Sequence, residues 1–228
     1  MKLGVVGLPN VGKSTLFNLI GGTISPSSGK VFFAGNDITG WKPYSIARAG
    51  IARTFQTTAL FEELPVYVNL VIGHRMRTRS GLWDVILHTP RQKREKNETT
   101  AKVLEVLEFT ELGEYINAPA GSIPQEAQKR LAIGVALMGN PRLLLLDEPS
   151  AALDPRARRH LIDLLRALPE ARIVASHDLD LVRDVCPRVV ILREGRLFAQ
   201  GATEDLLRDA SLLDAAGLEL PLSLLPRP

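Results

Sequence analysis

Gly7-Leu8-Pro9-Asn10-Val11-Gly12-Lys13-Ser14-Thr15 sets glycines, a lysine and a hydroxyl residue at the spacing G-x-x-x-x-G-K-[ST]. The backbone N–H groups of such a loop can surround a phosphate, and the helix that follows adds the positive end of its dipole. Lys13 can reach the β/γ oxygens, and the Ser14 hydroxyl can ligate Mg²⁺. The ligand predicted first is a nucleoside triphosphate, held by Asn10, Val11, Gly12, Lys13, Ser14 and Thr15 in a P-loop. A second stretch, Leu143-Leu144-Leu145-Leu146-Asp147-Glu148-Pro149-Ser150, is an apolar run ending in two acids. Asp147 at the end of a parallel strand can hold a metal ion or its bound water, and Glu148 can act as general base for an attacking water. A buried strand with a polar turn explains the leucines, but not the adjacent acids followed by proline.

These residues need a frame that presents strand ends on one side. Residues 3–6 read as a buried strand and 13–21 as the helix after the P-loop. Residues 29–36 read as a strand entering a Gly-Asn turn, and 46–50 as a short helix. From about 66 to 114 the pattern turns helical and polar, with Val103, Leu104, Val106 and Leu107 on an apolar face. An α/β pattern then resumes, with helices at 130–138, 157–168 and 179–184. Strands are expected at 143–146, 173–175, 189–192 and 196–199. Such alternation predicts an α/β fold, a mostly parallel sheet with helices on both faces, interrupted by a helical subdomain.

Composition narrows the field. With 28 basic and 25 acidic residues the net charge is +3, too mild to predict nucleic acid as a partner. Phosphate binding must therefore come from a local site. The one cysteine, Cys186, excludes an internal disulfide and suits a reducing cytoplasm. No apolar run approaches the length of a membrane span, so direct membrane insertion is not expected and a partner must supply any span.

Together these residues resemble the nucleotide-binding subunit of ABC transporters. Arg53-Thr54-Phe55-Gln56 is similar to the family's Q-loop, Ala151-Ala152-Leu153-Asp154 to its D-loop, and Ala175-Ser176-His177-Asp178 to its switch region. The resemblance implies the P-loop NTPase fold and binding of ATP with Mg²⁺, the metal being met by Ser14, Gln56 and Asp147. It implies Glu148, His177 and Gln56 as catalytic residues, His177 at the γ-phosphate. It also implies a transmembrane permease partner for a cytoplasmic, membrane-peripheral subunit. The implied division is 1–65 for the P-loop and Q-loop part of the core and 66–128 for a helical subdomain with a degenerate signature. Residues 129–205 carry Walker B, D-loop and switch, and 206–228 form a C-terminal tail.

The resemblance changes character along the chain. Ile38-Thr39-Gly40 and Ile51-Ala52-Arg53-Thr54-Phe55-Gln56 look like the ATPase of branched-chain amino-acid importers. Leu212-Leu213-Asp214-Ala215-Ala216-Gly217-Leu218 looks more like ATPases of cobalt and related metal importers, and the P-loop segment resembles Obg-type or YchF-like GTPases. The chain thus reads as a mosaic, engineered or recombined. Against the family pattern, the N-terminal antiparallel subdomain and its base-stacking aromatic residue are expected to be truncated, leaving an exposed edge near residues 31–34. Glu126 stands where the signature has a glycine, which predicts at most a weak homodimer, and Val135 stands where an arginine is usual. The expectation is an ABC-type ATPase of impaired activity. The alternatives are a nucleotide-binding domain with little turnover and no transport partner, and a GTPase. The GTPase reading lacks any N-K-x-D motif and any D-x-x-G at a plausible distance after the P-loop.

Overall fold

A continuous apolar run can be buried on both faces at once, and Leu143–Asp147 (β5) does this: every residue is buried. The computed structural model describes residues 1–7, 12–54, 60–75 and 90–225, side chains at 75 and 90–94 excepted. Around β5 lies a six-stranded sheet of order β4-β5-β6-β1-β7-β8. The other strands are Lys2–Val6 (β1), Ile51–Thr54 (β4), Ala171–Ala175 (β6), Arg188–Arg193 (β7) and Arg196–Ala202 (β8). All pairings are parallel except the β7–β8 hairpin. Helices cover both faces, as consecutive residues of β1 demonstrate. Val5 packs with Phe17 of Lys13–Ile20 (α1) and Ile46 of Pro43–Ala49 (α2). Gly4 faces the other way, where a β-carbon would lie 2.3 Å from Val182 Cγ1 and 3.5 Å from Cys186 Cβ. The fold is therefore the expected α/β, mostly parallel one.

The chain divides into two compact units, residues 1–56 with 142–228, and residues 57–141. The second is helical and contains Val66–Arg75 (α3), Pro90–Phe109 (α4) and Gln125–Met138 (α5). Helix α5 begins three residues before position 128, so the helical unit extends past that sequence-based boundary. Close approach of α3 and α5 is set by small residues. A β-carbon on Gly73 would stand 2.6 Å from the Val135 carbonyl oxygen, and one on Gly134 would stand 3.2 Å from Leu70 Cδ2. The buried Asn69 side chain accepts the Phe61 N–H at 2.8 Å and donates to the Phe61, Leu64 and Pro65 carbonyls, so it closes the loop leading into α3.

Several local expectations need correction. The strand expected over 29–36 is a short hairpin, Phe32–Phe33 (β2) with Asn36–Asp37 (β3), turning at Ala34-Gly35 with φ of 51° and 83°. This pair forms its own two-stranded sheet among the described residues, with Phe32 63% exposed. Strand β4 was not foreseen, because its four residues include Arg53, a poor match to an apolar strand. Leu104 is exposed while Val103, Val106 and Leu107 are buried; four positions span too wide an arc for one helix face. Past Pro155–Ala167 (α6) and Leu179–Val185 (α7), the tail holds two further helices, Thr203–Arg208 (α8) and Ala210–Ala215 (α9).

Candidate nucleotide site

Parallel strands β5, β6 and β1 are neighbours, so their C-terminal ends open on the same side. Asp147 pairs with Ala175, and Ala175 with Val5, in one row across the sheet. Beyond that row the backbone stays tied: Glu148 N–H donates to the Ala175 carbonyl at 2.8 Å and Ser176 N–H to the Val5 carbonyl at 3.1 Å. Residues that are far apart in sequence are thereby brought within hydrogen-bonding reach.

Glu148 is the hub. Its Oε1 lies 3.1 Å from Lys13 Nζ. Its Oε2 accepts from the Ser176 hydroxyl at 3.0 Å and the His177 N–H at 3.2 Å, and stands 2.8 Å from His177 Nδ1. The largely buried Lys13 side chain also donates from Nζ to the Gly7 carbonyl at 2.9 Å. Glu148 sits at φ 44°, a left-handed conformation uncommon for a residue with a β-carbon. Strain of this kind persists where the surroundings over-determine it, often at functional sites. Asp147 is buried and meets Arg53 Nη2 at 3.0 Å. Arg53 in turn donates to Asn18 Oδ1 at 2.7 Å and lies over the Phe17 ring.

Behind His177, Asp178 caps α7 by accepting the Leu181 N–H at 2.9 Å. Burial alone would raise its pKa, but the two-pronged Arg158 contact, 2.6 Å on each oxygen, and the Leu181 N–H outweigh that and hold the carboxyl below its ordinary value. His177 itself is 64% exposed on its side chain and reaches out from this fixed base.

Of the expected nucleotide-binding residues, Gly12, Lys13, Ser14 and Thr15 open α1, whereas Asn10 and Val11 lie outside the described residues. Gly12 has φ 100° and no side chain caps the helix start. A β-carbon there would be strained and 3.3 Å from Gly195 Cα in the β7–β8 turn. Helix geometry leaves the first-turn N–H groups without helical acceptors, and Ser14 and Thr15 are exposed beside them. These features fit a phosphate. Asp147 and the Ser14 hydroxyl fit Mg²⁺, which takes one or two protein carboxylates and fills its octahedron with phosphate oxygens and water. Gln56, expected at both metal and water, also lies outside the described residues. Sequence reasoning missed Ser176 as a partner of Glu148 and Arg53 as a partner of Asp147; both stood inside quoted motifs, but no spacing rule exposes a contact between distant strands.

A P-loop helix, a strand-end aspartate and an adjacent glutamate on one parallel sheet define the P-loop nucleoside triphosphatases. Within that class, the model of the ABC transporter family matches residues 1–151, and the chain belongs to this family as an ATP-binding cassette domain for ATP and Mg²⁺. The branched-chain amino acid transport ATP-binding protein LivG of Escherichia coli K12 is 29% identical over 217 residues, 93% of this chain and 85% of LivG. A Gloeobacter violaceus protein, gll0289, named as an ATP-binding protein of an ABC transporter, is 35% identical over 98% of this chain and 86% of its own. Among solved structures, the ATP-binding cassette MJ1267 of an ABC transporter superposes with TM-score 0.79 at 28% identity, over 93% of this chain and 86% of that one. The cbiO1 protein of Clostridium perfringens, part of the transporter complex cbiONQ, gives 0.76 at 27% identity over 95% and 83%. These matches run through the P-loop segment and nearly the whole chain. They support neither a mosaic or engineered origin nor a separate GTPase family for the N-terminal residues. No helix among the described residues is long and apolar enough to cross a membrane.

The departures from the family pattern have local explanations. Glu126 lies in the first turn of α5 with Oε1 3.5 Å from Arg130 Nε. Arg130 is buried and donates to the carbonyls of Thr110 at 2.7 Å and Glu111 at 3.0 Å. The carboxylate at the signature position is thus partly neutralised within its own helix. Val135 is half-buried and lies against Gly73, where a β-carbon on the glycine would stand 3.0 Å from Val135 Cγ1.

Proposed function

We propose that this domain hydrolyses ATP to ADP and phosphate to drive solute import through a transmembrane permease, working as a cytoplasmic subunit at the membrane. The observation that carries the reading is the convergence of Lys13, Ser176 and His177 on Glu148, each within 3.2 Å, at the mouth of β1, β5 and β6. Lys13 and Glu148 satisfy one another. A triphosphate in the P-loop draws Lys13 to its β/γ oxygens, as the stronger concentration of charge, and frees one Glu148 oxygen. Glu148 then takes a proton from water as that water attacks the γ-phosphorus and the bond to the β–γ bridging oxygen breaks. His177 and Ser176 hold the glutamate in position, and His177, being exposed, can turn to the γ-phosphate. Asp147 and Ser14 would hold Mg²⁺, which would supply charge neutralisation at the phosphates. Gln56 is assigned to orient the water.

The similarity to LivG supports branched-chain amino acids as the transported class. A domain of low turnover remains the second reading, favoured by Glu126 at the signature. Fluorescent mant-ATP titration and phosphate release separate the two. Lys13→Ala should weaken mant-ATP binding at least about tenfold, a loss of about 1.4 kcal/mol. Glu148→Gln should bind as well as wild type but release phosphate roughly 10² to 10⁴ times more slowly, the usual range for a lost general base. Unchanged release in Glu148→Gln would remove the general-base assignment, and absence of release in wild type would favour the second reading.

A further inference from the structure

Among the described residues, Asp147, Asn18 and Phe17 converge on the guanidinium of Arg53. Its Nη2 meets Asp147 Oδ2 at 3.0 Å, its Nη1 donates to Asn18 Oδ1 at 2.7 Å, and its Cζ stands 5.7 Å from the centre of the Phe17 ring. The ion pair is largely withdrawn from water, with side-chain exposures of 13% for Arg53 and 7% for Asp147. Arg53 therefore sits against the carboxylate that the proposed function gives to Mg²⁺. A guanidinium and a divalent cation repel in such a poorly screened place, so each weakens the other's hold on that carboxylate.

We infer that Arg53 is the built-in counter-ion of the metal-free site, a positioning residue that occupies Asp147 until Mg²⁺ arrives with the nucleotide. The inference rests on the assignment of Asp147 to Mg²⁺. Without Arg53, Asp147 would be a buried carboxylate with no cation beside it among the described residues, which is costly and attracts a divalent cation. With it, a free cation must displace a desolvated partner to gain a single protein carboxylate. A nucleotide changes that balance, because its phosphate oxygens supply further ligands to the same ion. Asn18 on α1 and the Phe17 ring give the displaced guanidinium a place to remain. The pair Lys13 and Glu148 does the same on the phosphate side, so each acid of the site carries an internal cation.

The test reads metal binding rather than turnover. Nucleotide-free wild type, Arg53→Gln and Arg53→Lys are titrated with Mn²⁺, following loss of the free-ion electron paramagnetic resonance signal, with circular dichroism melting as the folding control. Arg53→Gln should bind Mn²⁺ about tenfold more tightly than wild type, and Arg53→Lys, which keeps the charge but loses the fork between Asn18 and Asp147, should fall between the two. Adding Asp147→Asn to Arg53→Gln should abolish the gained affinity. A purely structural role for Arg53 would lower the melting temperature and leave Mn²⁺ affinity alone, which would overturn the inference. So would equal Mn²⁺ binding by the Gln and Lys variants, or a gained site that survives Asp147→Asn. Wild-type mant-ATP binding, scored separately, tests the nucleotide reading, so the two fail on different measurements.

Discussion

Asp178 shows how much of this site depends on single side chains that never touch a substrate. It caps α7, binds Arg158 through both oxygens and accepts from the Ser150 hydroxyl at 3.1 Å, directly behind His177. Its carboxyl titrates below its ordinary value when folded, so it binds a proton less readily in the native state than in the unfolded chain. A group depressed in this way adds stability above the unfolded pKa of about 3.9, and that stability is lost as pH falls through the folded pKa. Urea midpoints measured from pH 6 down to pH 3 should therefore fall steeply below about pH 4. Asp178→Asn, which keeps the cap but not the charge, should start lower at pH 6 and lose less on acidification. An identical pH dependence in the two proteins would show that this ion pair does not contribute. At the same scale, Glu148 and Asp147 were legible as chemistry because adjacent acids after an apolar strand are hard to explain otherwise. Their partners Arg53 and Ser176 were not, since a contact across strands leaves no trace in local spacing.

At the scale of elements, the long buried strands and the P-loop helix announced themselves through periodicity and flanking turns. The short ones did not. Strand β4 has four residues, one of them an arginine made tolerable by Asp147 and Asn18, and the β2–β3 hairpin has two residues on each side. Helix packing was equally hidden: Gly73 and Val135 lie far apart in the sequence, yet their contact fixes how near α3 and α5 come. Gly73→Ala would put a methyl group 2.6 Å from a backbone oxygen that cannot swing aside. Overpacking of that kind costs about 1–3 kcal/mol, against up to about 1 kcal/mol gained in helix propensity. The variant should unfold at lower denaturant; an increased midpoint would mean that the helices can separate without loss. Arg172 supplies another hidden link. Wholly buried on β6, it donates to the Leu165 and Leu168 carbonyls and so closes the end of α6. Desolvation lowers its pKa accordingly.

For the whole molecule, the question is whether two copies can close on nucleotide through the signature. A carboxylate facing a triphosphate is repelled, but Arg130 lies 3.5 Å from Glu126 and offsets part of that charge. Nucleotide-dependent dimers of the wild type should therefore be weak by light scattering with ATP and Mg²⁺, and Glu126→Gly should strengthen them. No gain in Glu126→Gly would exclude this residue as the obstacle. The sequence alone determined the class of ligand and the class of fold, because a P-loop is a local device: its glycines, lysine and hydroxyl work through backbone geometry within nine residues. It also determined which strands are buried, through unbroken apolar runs. Only the tertiary structure decided which charges meet. Parallel pairing of β4, β5, β6 and β1 carries residues 53, 147, 148, 176 and 13 to one rim, and there Arg53 neutralises Asp147 while Lys13 neutralises Glu148. Such pairings depend on strand order and register, which are set by the packing of the whole sheet rather than by any segment of it.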